Sequence, residues 1–467
     1  MTARVMTERA RVRFAFLIFS VAVLGACTLG PRYVRPAAPA PARWQDAEPS
    51  PDAVANLSWW HLLNDEELRG LVKIALAENR DALLAAAAIE EFRARVGISQ
   101  ADLYPSINLT GEAGRVRPGL DGTRDSASFA ARGGLSWEID VWGRIRRSNE
   151  AARAELLARE ENRRAVVLTL VGDVASGYFL LLGADRELDI SRRTLASRNE
   201  TLRLSRSRFS SGLTSELDVR QFQAQAASAV QSVARLEREQ RQKEDALSVL
   251  LGRSPYRLPR GHALEAQTVP PDVPPGLPSA LLERRPDVLA AERALAAATA
   301  RIGVAQAARL PSFSLTGLLG VQSAELSSLL DSPSRLYQLL GTVAAPIFNA
   351  GRLKNQVRVA QAQAVAARLS WEKTVLVALK EVEDGLIAQS TWRREVAAAS
   401  EQTEALRAAA RLASVRYENG VSSYLEVLDA DRSLFAAELA LSQTESQRLV
   451  ASVRLFQALG GGWPVSP

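Results

Sequence analysis

Two periodicities divide this chain. Ile107, Leu109, Gly111 and Ala113 alternate with Asn108, Thr110 and Glu112, and Leu135, Trp137, Ile139 and Val141 alternate with Ser136, Glu138 and Asp140. A period of two predicts strands with one apolar and one polar face. The Gly-, Asp-, Arg- and Ser-rich stretch between them makes the pair a hairpin over residues 105–141. The period then lengthens. Residues 143–209 hold no proline, and beyond Gly143 only Gly172, Gly177 and Gly183 as glycines, which predicts one helix about 100 Å long. A returning helix is predicted over 215–251. Upstream, Asn64-Asp65-Glu66-Glu67 ahead of Leu68, Leu71 and Ile74 signals a short helix, and 80–102 reads as a second. Residues 80–102 and 215–251, stacked end to end, would match the long helix in length. Val166 to Leu182 is the most apolar stretch of that helix, but Asp173 interrupts it, so it reads as helical core rather than a membrane span.

The whole pattern then recurs. Pro255, Pro259, Pro270, Pro271, Pro274, Pro275 and Pro278 mark an irregular crossover. Beyond it, Phe313, Leu315, Gly317 and Leu319 alternate with Ser314 and Thr316, 339–347 reads as a fourth strand, and a second long helix starts at Gly351-Arg352. Gly351, Tyr417, Gly420, Ser423 and Gly460 each lie 208 residues after Gly143, Phe209, Gly212, Ser215 and Gly252, while Asp287 and Pro311 lie 206 after Asp81 and Pro105. An offset held this constant marks an internal duplication.

Each long helix ends in a similar turn: Phe209-Ser210-Ser211-Gly212-Leu213-Thr214-Ser215 and Tyr417-Glu418-Asn419-Gly420-Val421-Ser422-Ser423. Glycine suits the left-handed residue that closes a helix. Ser215 and Ser423 stand three residues before Asp218 and Glu426, the spacing of a capping box, which opens the next helix.

Charge and histidine content narrow the function. The net charge is +6, but the lysines are only Lys73, Lys243, Lys354, Lys373 and Lys380. The arginines are interspersed with acids along helices, the pattern of solvated helix faces rather than a nucleic-acid footprint. The histidines are His61 and His262, far apart, and Cys27 is the one cysteine. With no nucleotide fingerprint either, neither a metal site nor catalysis is expected. The N-terminus carries Arg4, Arg9, Arg11 and Arg13 ahead of an apolar run from Phe14 to Ala26, the layout of an export signal. Leu24, Gly25, Ala26 and Cys27 have the form of a lipoprotein-processing box. Cys27 is therefore expected to become the first mature residue, carrying an N-acyl and an S-diacylglycerol group as its lipid anchor.

Four strands with one apolar face cannot close a barrel alone. Single-chain membrane barrels begin at about eight strands, and a barrel of about twelve leaves a passage, which calls for several copies of this chain. The Ala-, Gln- and Ser-rich 221–229 stretch lacks a broad apolar stripe and suits either a water-lined face or an exposed coiled coil.

The processing box, Gly30-Pro31-Arg32-Tyr33-Val34-Arg35-Pro36, Trp59-Trp60, Pro311-Ser312-Phe313, Ala345-Pro346-Ile347-Phe348 with Gly351-Arg352, and Ala458-Leu459-Gly460-Gly461-Gly462-Trp463 together resemble the TolC family, in its OprM/NodT-type lipoprotein branch. The resemblance spans essentially the whole mature chain. It implies a mainly α protein with a membrane β-barrel: a homotrimer whose twelve-stranded barrel in the outer membrane continues as a twelve-helix barrel in the periplasm. It implies a passive duct in a tripartite efflux or export system, reached through a periplasmic adaptor from an inner-membrane pump, commonly of the resistance-nodulation-division (RND) type. The expected segments are a signal peptide (1–26), a lipidated extended stretch (27–60), a first repeat (61–252, helical hairpin 143–251) and a Pro-rich crossover (253–278). A second repeat (279–460, strand hairpin 311–348, helical hairpin 351–459) and a tail (461–467) follow. By the same resemblance, Gly212, Leu213, Thr214, Gly420, Val421 and Ser422 are the adaptor-contacting tips. Leu425, Glu426 and Asp429 form the periplasmic gate, with Tyr417 and Asp218 as a latch between neighbouring hairpins. The family's latch arginine is replaced by Ser422, which puts an arginine-dependent closure in doubt. Asp218 and Glu426 read equally well as capping acids. A lipidated periplasmic adaptor, or a structural coiled-coil lipoprotein, are the alternatives; the doubled strands argue against both.

Overall fold

The computed structural model of the chain describes residues 28–38, 41, 43–45, 65–116, 126–268 and 278–461. Its helices and strands run α1 (Glu66–Glu78), α2 (Arg80–Ala101), β1 (Ser106–Val116), β2 (Ser126–Ile139), α3 (Arg144–Ser210) and α4 (Glu216–Leu250). Then come α5 (Pro278–Arg284), α6 (Pro286–Ala307), β3 (Ser312–Ser323), β4 (Arg335–Ala344), α7 (Arg352–Glu418) and α8 (Tyr424–Ala458). The duplication holds element by element: α3 and α7 each have 67 residues, α4 and α8 each 35, α2 and α6 each 22.

Three boundaries differ from the periodicity. The first helix is capped by Asp65, whose carboxylate accepts from the Leu68 amide. β2 begins at Ser126, well before the alternation at Leu135, because pairing with β1 satisfies its backbone whatever the side chains. β4 spans Arg335–Ala344 rather than 339–347. Its partner β3 begins at Ser312, opposite Ala344, and Pro346 has no N–H to offer a ladder.

The chain forms two compact units, and each takes residues from both repeats. One gathers Ala87–Glu160 and Ala290–Lys373 with the described residues before Ala38; the other gathers the rest. The first unit contains an antiparallel sheet in the order β1-β2-β3-β4. Ser106 pairs with Ser136 and Ser312 with Ala344, the same register in both repeats, and Ile139 opposite Phe313 joins them. One face exposes Ile107, Leu109, Leu319, Tyr337, Leu339 and Val343. The alternate positions are mostly polar, with Arg132 bonded to Glu112 and Gln322, although β3 and β4 also place Leu318, Leu336 and Leu340 there.

Below the sheet, the residues following position 27 are stapled to the strand-to-helix junction. The Leu29 amide donates to Trp142 O, and Arg147 donates to the Leu29 and Gly30 carbonyls at 3.0 and 3.1 Å. A Cβ on Gly30 would lie 2.4 Å from Gly303 Cα, so only glycine admits this approach. Tyr33 donates to Glu292, which also pairs with Arg35.

In the second unit, α3 supplies the core with Val174, Ala175, Tyr178, Phe179 and Leu181, all fully buried. One 18-residue window of α3 is apolar enough to cross a membrane, but 56% of it is buried inside the protein. The crossover is sealed by two buried acids. Asp65 accepts from Leu68 N, Tyr178 OH, His262 N and Gln267 Nε2. Burial alone pushes its carboxyl up, but these donors outweigh it and hold it below the ordinary carboxylate range. Glu244 accepts from Leu258 N, Arg257 and Arg260. Helix ends also meet head to tail. Asn79, just before α2, donates to Leu250 O at the end of α4, and Arg285, just before α6, donates to Ala458 O at the end of α8.

Candidate functional site

The two hairpin tips close in the same way. Gly212 N donates to Phe209 O and Leu213 N to Arg208 O; Gly420 N donates to Tyr417 O and Val421 N to Arg416 O. Gly212 and Gly420 have φ of 73° and 72°. This reciprocal pair of bonds needs a residue in the left-handed region, which glycine enters without Cβ strain. Leu213, Leu217, Val421 and Leu425 project exposed from these tips. Apolar side chains presented together at a helix-hairpin end are suited to contact another protein.

Beneath the tips, the hairpins are clamped by a small core of Leu202, Phe222, Ala226, Ala413, Tyr424, Val427 and Leu428. The rings of Phe222 on α4 and Tyr424 on α8 lie 3.7 Å apart between centroids, and Tyr417 packs on Tyr424 at 5.8 Å. Sequence reading missed this clamp. Phe222 and Tyr424 are not equivalent positions in the two repeats; their counterparts are Ala430 and Glu216, so the duplication gave no warning. The signal was a lone aromatic in an otherwise Ala- and Gln-rich stretch.

Only one of the two expected capping boxes forms. Ser215 Oγ accepts from Asp218 N, and Asp218 Oδ2 accepts from Ser215 N at 3.3 Å and from Thr214 Oγ1 at 2.8 Å. Desolvation pushes the Asp218 carboxyl up, and these donors bring it below its ordinary value. At the second tip, Ser423 makes no side-chain cap bond. Glu426 instead accepts from Arg416 Nε at 3.0 Å, so it is not a capping acid. The hydroxyl of Ser422, equivalent to Thr214, is buried without a partner among the described residues. The cause lies in the arginines. Arg208, equivalent to Arg416, lies over the Tyr417 ring at 5.9 Å, which leaves Asp218 to the turn.

Of the remaining site residues, Leu425 and Asp429 are exposed one helical turn apart on α8, hence on one face. Asp218 and Tyr417 share no hydrogen bond within the described chain; each is engaged as above. Leu24, Gly25, Ala26 and Cys27 lie outside the described residues, as do Trp59, Trp60, His61 and Trp463. Among the described residues no group of three His, Cys, Asp or Glu side chains is placed to hold a metal ion.

A duplicated strand hairpin with an exposed apolar face, joined to paired long helical hairpins, defines a subunit of a barrel-and-tunnel channel. The chain belongs to the outer membrane efflux protein family, which it matches over residues 71–253 and 277–461. It is 39% identical to the outer membrane protein OprJ of Pseudomonas aeruginosa, over 94% of each chain. It is 36% identical to the toluene efflux pump outer membrane protein TtgI of Pseudomonas putida, over 96% of this chain and 98% of that one. The open-state MtrE outer membrane channel of Neisseria gonorrhoeae superposes with a TM-score of 0.85 at 32% identity, covering 94% of this chain and all of that one. The protein is thus an outer-membrane efflux channel of TolC/OprM type.

Proposed function

We propose that three copies of this chain form a passive duct from periplasm to exterior, gated at the hairpin tips, with no catalytic step of its own. The observation that carries this reading is the open four-stranded sheet, whose apolar face is exposed and whose outer strands β1 and β4 have no further partner among the described residues. Such a sheet is stable in a bilayer only when closed. A periplasmic adaptor would dock on Gly212, Leu213 and Thr214 with Gly420, Val421 and Ser422, and an inner-membrane pump of the RND type would supply the energy. Cys27 would carry the acyl groups that anchor the N-terminal segment. The cargo is a small molecule selected upstream by the pump.

At the resting gate, Leu425 from each copy would form an apolar ring and Asp429 an acidic ring one turn further on, with Glu426, Tyr417 and Asp218 beside them. Acidic rings favour cations over anions. Single-channel recording of the reconstituted protein tests this reading. Asp429→Ala is expected to raise the conductance and lower the cation preference; an unchanged conductance and ion preference would remove Asp429 from the gate.

A further inference from the structure

Helix α8 packs between the two long helices. Its Gln457 side chain donates to Thr169 O on α3 at 3.2 Å, and on the other side its Glu438 pairs with Arg407 of α7. Along one face of this three-helix layer lies a cavity of about 630 Å³, lined from α3, α7, α8 and the start of α6. Ala165, Leu168, Ala388, Val450 and Ala451 give it apolar walls, and the half-buried Trp392 adds an aromatic ring. An apolar cavity of this size with a few charged side chains has the make-up of a small-molecule site. The opposite face of the layer is already occupied. Tyr178, about two and a half turns beyond the cavity-lining Thr169, points the other way, where it bonds Asp65 and the Gly261 amide. Glu383, about half a turn round α7 from the cavity-lining Glu381, accepts from the Gln45 amide.

The charges in the cavity do not balance. The carboxylates of Asp173, Asp287, Glu381 and Asp384 line it against the guanidiniums of Arg285 and Arg454. Arg285 is tied up by Asp287, Glu381 and Ala458 O. Asp384 meets Lys380 one turn away in an exposed pair, a contact of little strength. Asp173 has no ion pair among the described residues. Burial pushes its carboxyl above the ordinary value, and Arg454, near enough to draw it down, does not offset this. Along α7, Ala388 stands one turn from Asp384 and one turn from Trp392, so a small side chain leaves room between the acid and the ring. Trp392 and Arg454 stand where the first repeat has Ala184 and Ala246, so the duplicated half offers neither ring nor guanidinium.

We propose that this cavity opens on the bore and is a resting place for flat aromatic cations, whose ring lies over Ala388 against Trp392 while the positive centre lies toward Asp173 and Asp384. The inference rests on the duct reading for the side that the cavity faces: segments crossing a channel wall must run outside it, since inside they would block the passage. The surplus of carboxylates selects a cation over an anion of the same shape. The indole face attracts a cation through its ring quadrupole, more strongly where water is partly excluded. The cation also gives Asp173 the ionic partner it lacks, while Arg454 opposes it and keeps the site weak. A conduit needs weak sites, since bound cargo must leave again.

Ethidium, a flat aromatic cation, is the probe, added to the purified full-length protein and followed by fluorescence anisotropy, with the anionic dye fluorescein as the control. Saturable binding is expected for ethidium and not for fluorescein. Trp392→Leu and Asp173→Asn are each expected to weaken ethidium binding at least about threefold, and Arg454→Gln to tighten it about twofold. The opposite signs separate direct contact from loosened packing, which would weaken binding in all three variants. That pattern supports the proposal. No saturable ethidium binding, binding that the three substitutions leave unchanged, or equal binding of both dyes overturns the inference while the duct reading stands. A reconstituted protein that conducts no ions overturns the duct reading and, with it, the placement of the cavity on a bore.

Discussion

Ser215 and Ser423 stand at equivalent turns, yet only Ser215 engages its side chain in a cap. The difference traces to Arg208 and Arg416, which are also equivalent. One lies over the Tyr417 ring and leaves Asp218 free for the box; the other draws Glu426 away by a charge-assisted bond. The expected consequence is an asymmetric pair of substitutions. Ser215→Ala costs about 1 kcal/mol of local stability, read as faster amide exchange at the start of α4, whereas Ser423→Ala is close to neutral. The first effect depends on pH with a definite sign. The Asp218 carboxyl is held below its ordinary value of 3.8, so its contribution is complete above that value and is lost as pH falls below it through the lowered folded value. Equal effects of the two alanines at neutral pH would contradict the assigned bonds.

At the scale of elements, the helical hairpins are long and carry weak amphipathic stripes, so their mutual position depends on a few large side chains. Phe222 is the main one near the tips: it is almost fully buried and stacks on Tyr424. Truncation of a buried phenylalanine typically costs about 3–5 kcal/mol, and here the loss falls on the contact between α4 and α8. Phe222→Ala is expected to unclamp the tips, raising single-channel conductance and exposing the 210–215 turn to protease, while Phe222→Leu retains most of the closure. Protease resistance and conductance that both match the unsubstituted protein would mean that the tips are held by other contacts. At the helix junctions, Asn79 and Arg285 tie the start of α2 and α6 to the last carbonyls of α4 and α8, which helix ends otherwise leave unpaired.

For the whole molecule, the question is how a chain that cannot close its own sheet is held at the membrane while copies assemble. The strap from Thr28 to Arg35 is fixed to the strand-to-helix junction by Arg147 and Glu292. Any lipid on Cys27, one residue earlier, would therefore enter the bilayer close to the sheet. Each buried methylene of such an anchor contributes about 0.8 kcal/mol. Radiolabelled palmitate fed to expressing cells is expected to appear in the full chain and not in Cys27→Ala; equal labelling of both would place the lipid elsewhere or rule it out.

The amino-acid sequence alone determined the duplication, the long helices, the left-handed glycines and the two-faced strands. These features follow from periodicity and turn chemistry, which act between residues only a few positions apart. It could not decide which of two equivalent groups would make a given bond. Arg208 meets Tyr417 and Phe222 meets Tyr424, partners supplied by the other half of the chain, while Arg416 and Ser215 bond within their own turns. Strand ends were settled in the same way: β2 extends and β4 stops early because a neighbouring strand either is or is not there to accept its backbone. Local pattern fixes what an element is, and packing across the two repeats fixes what it touches.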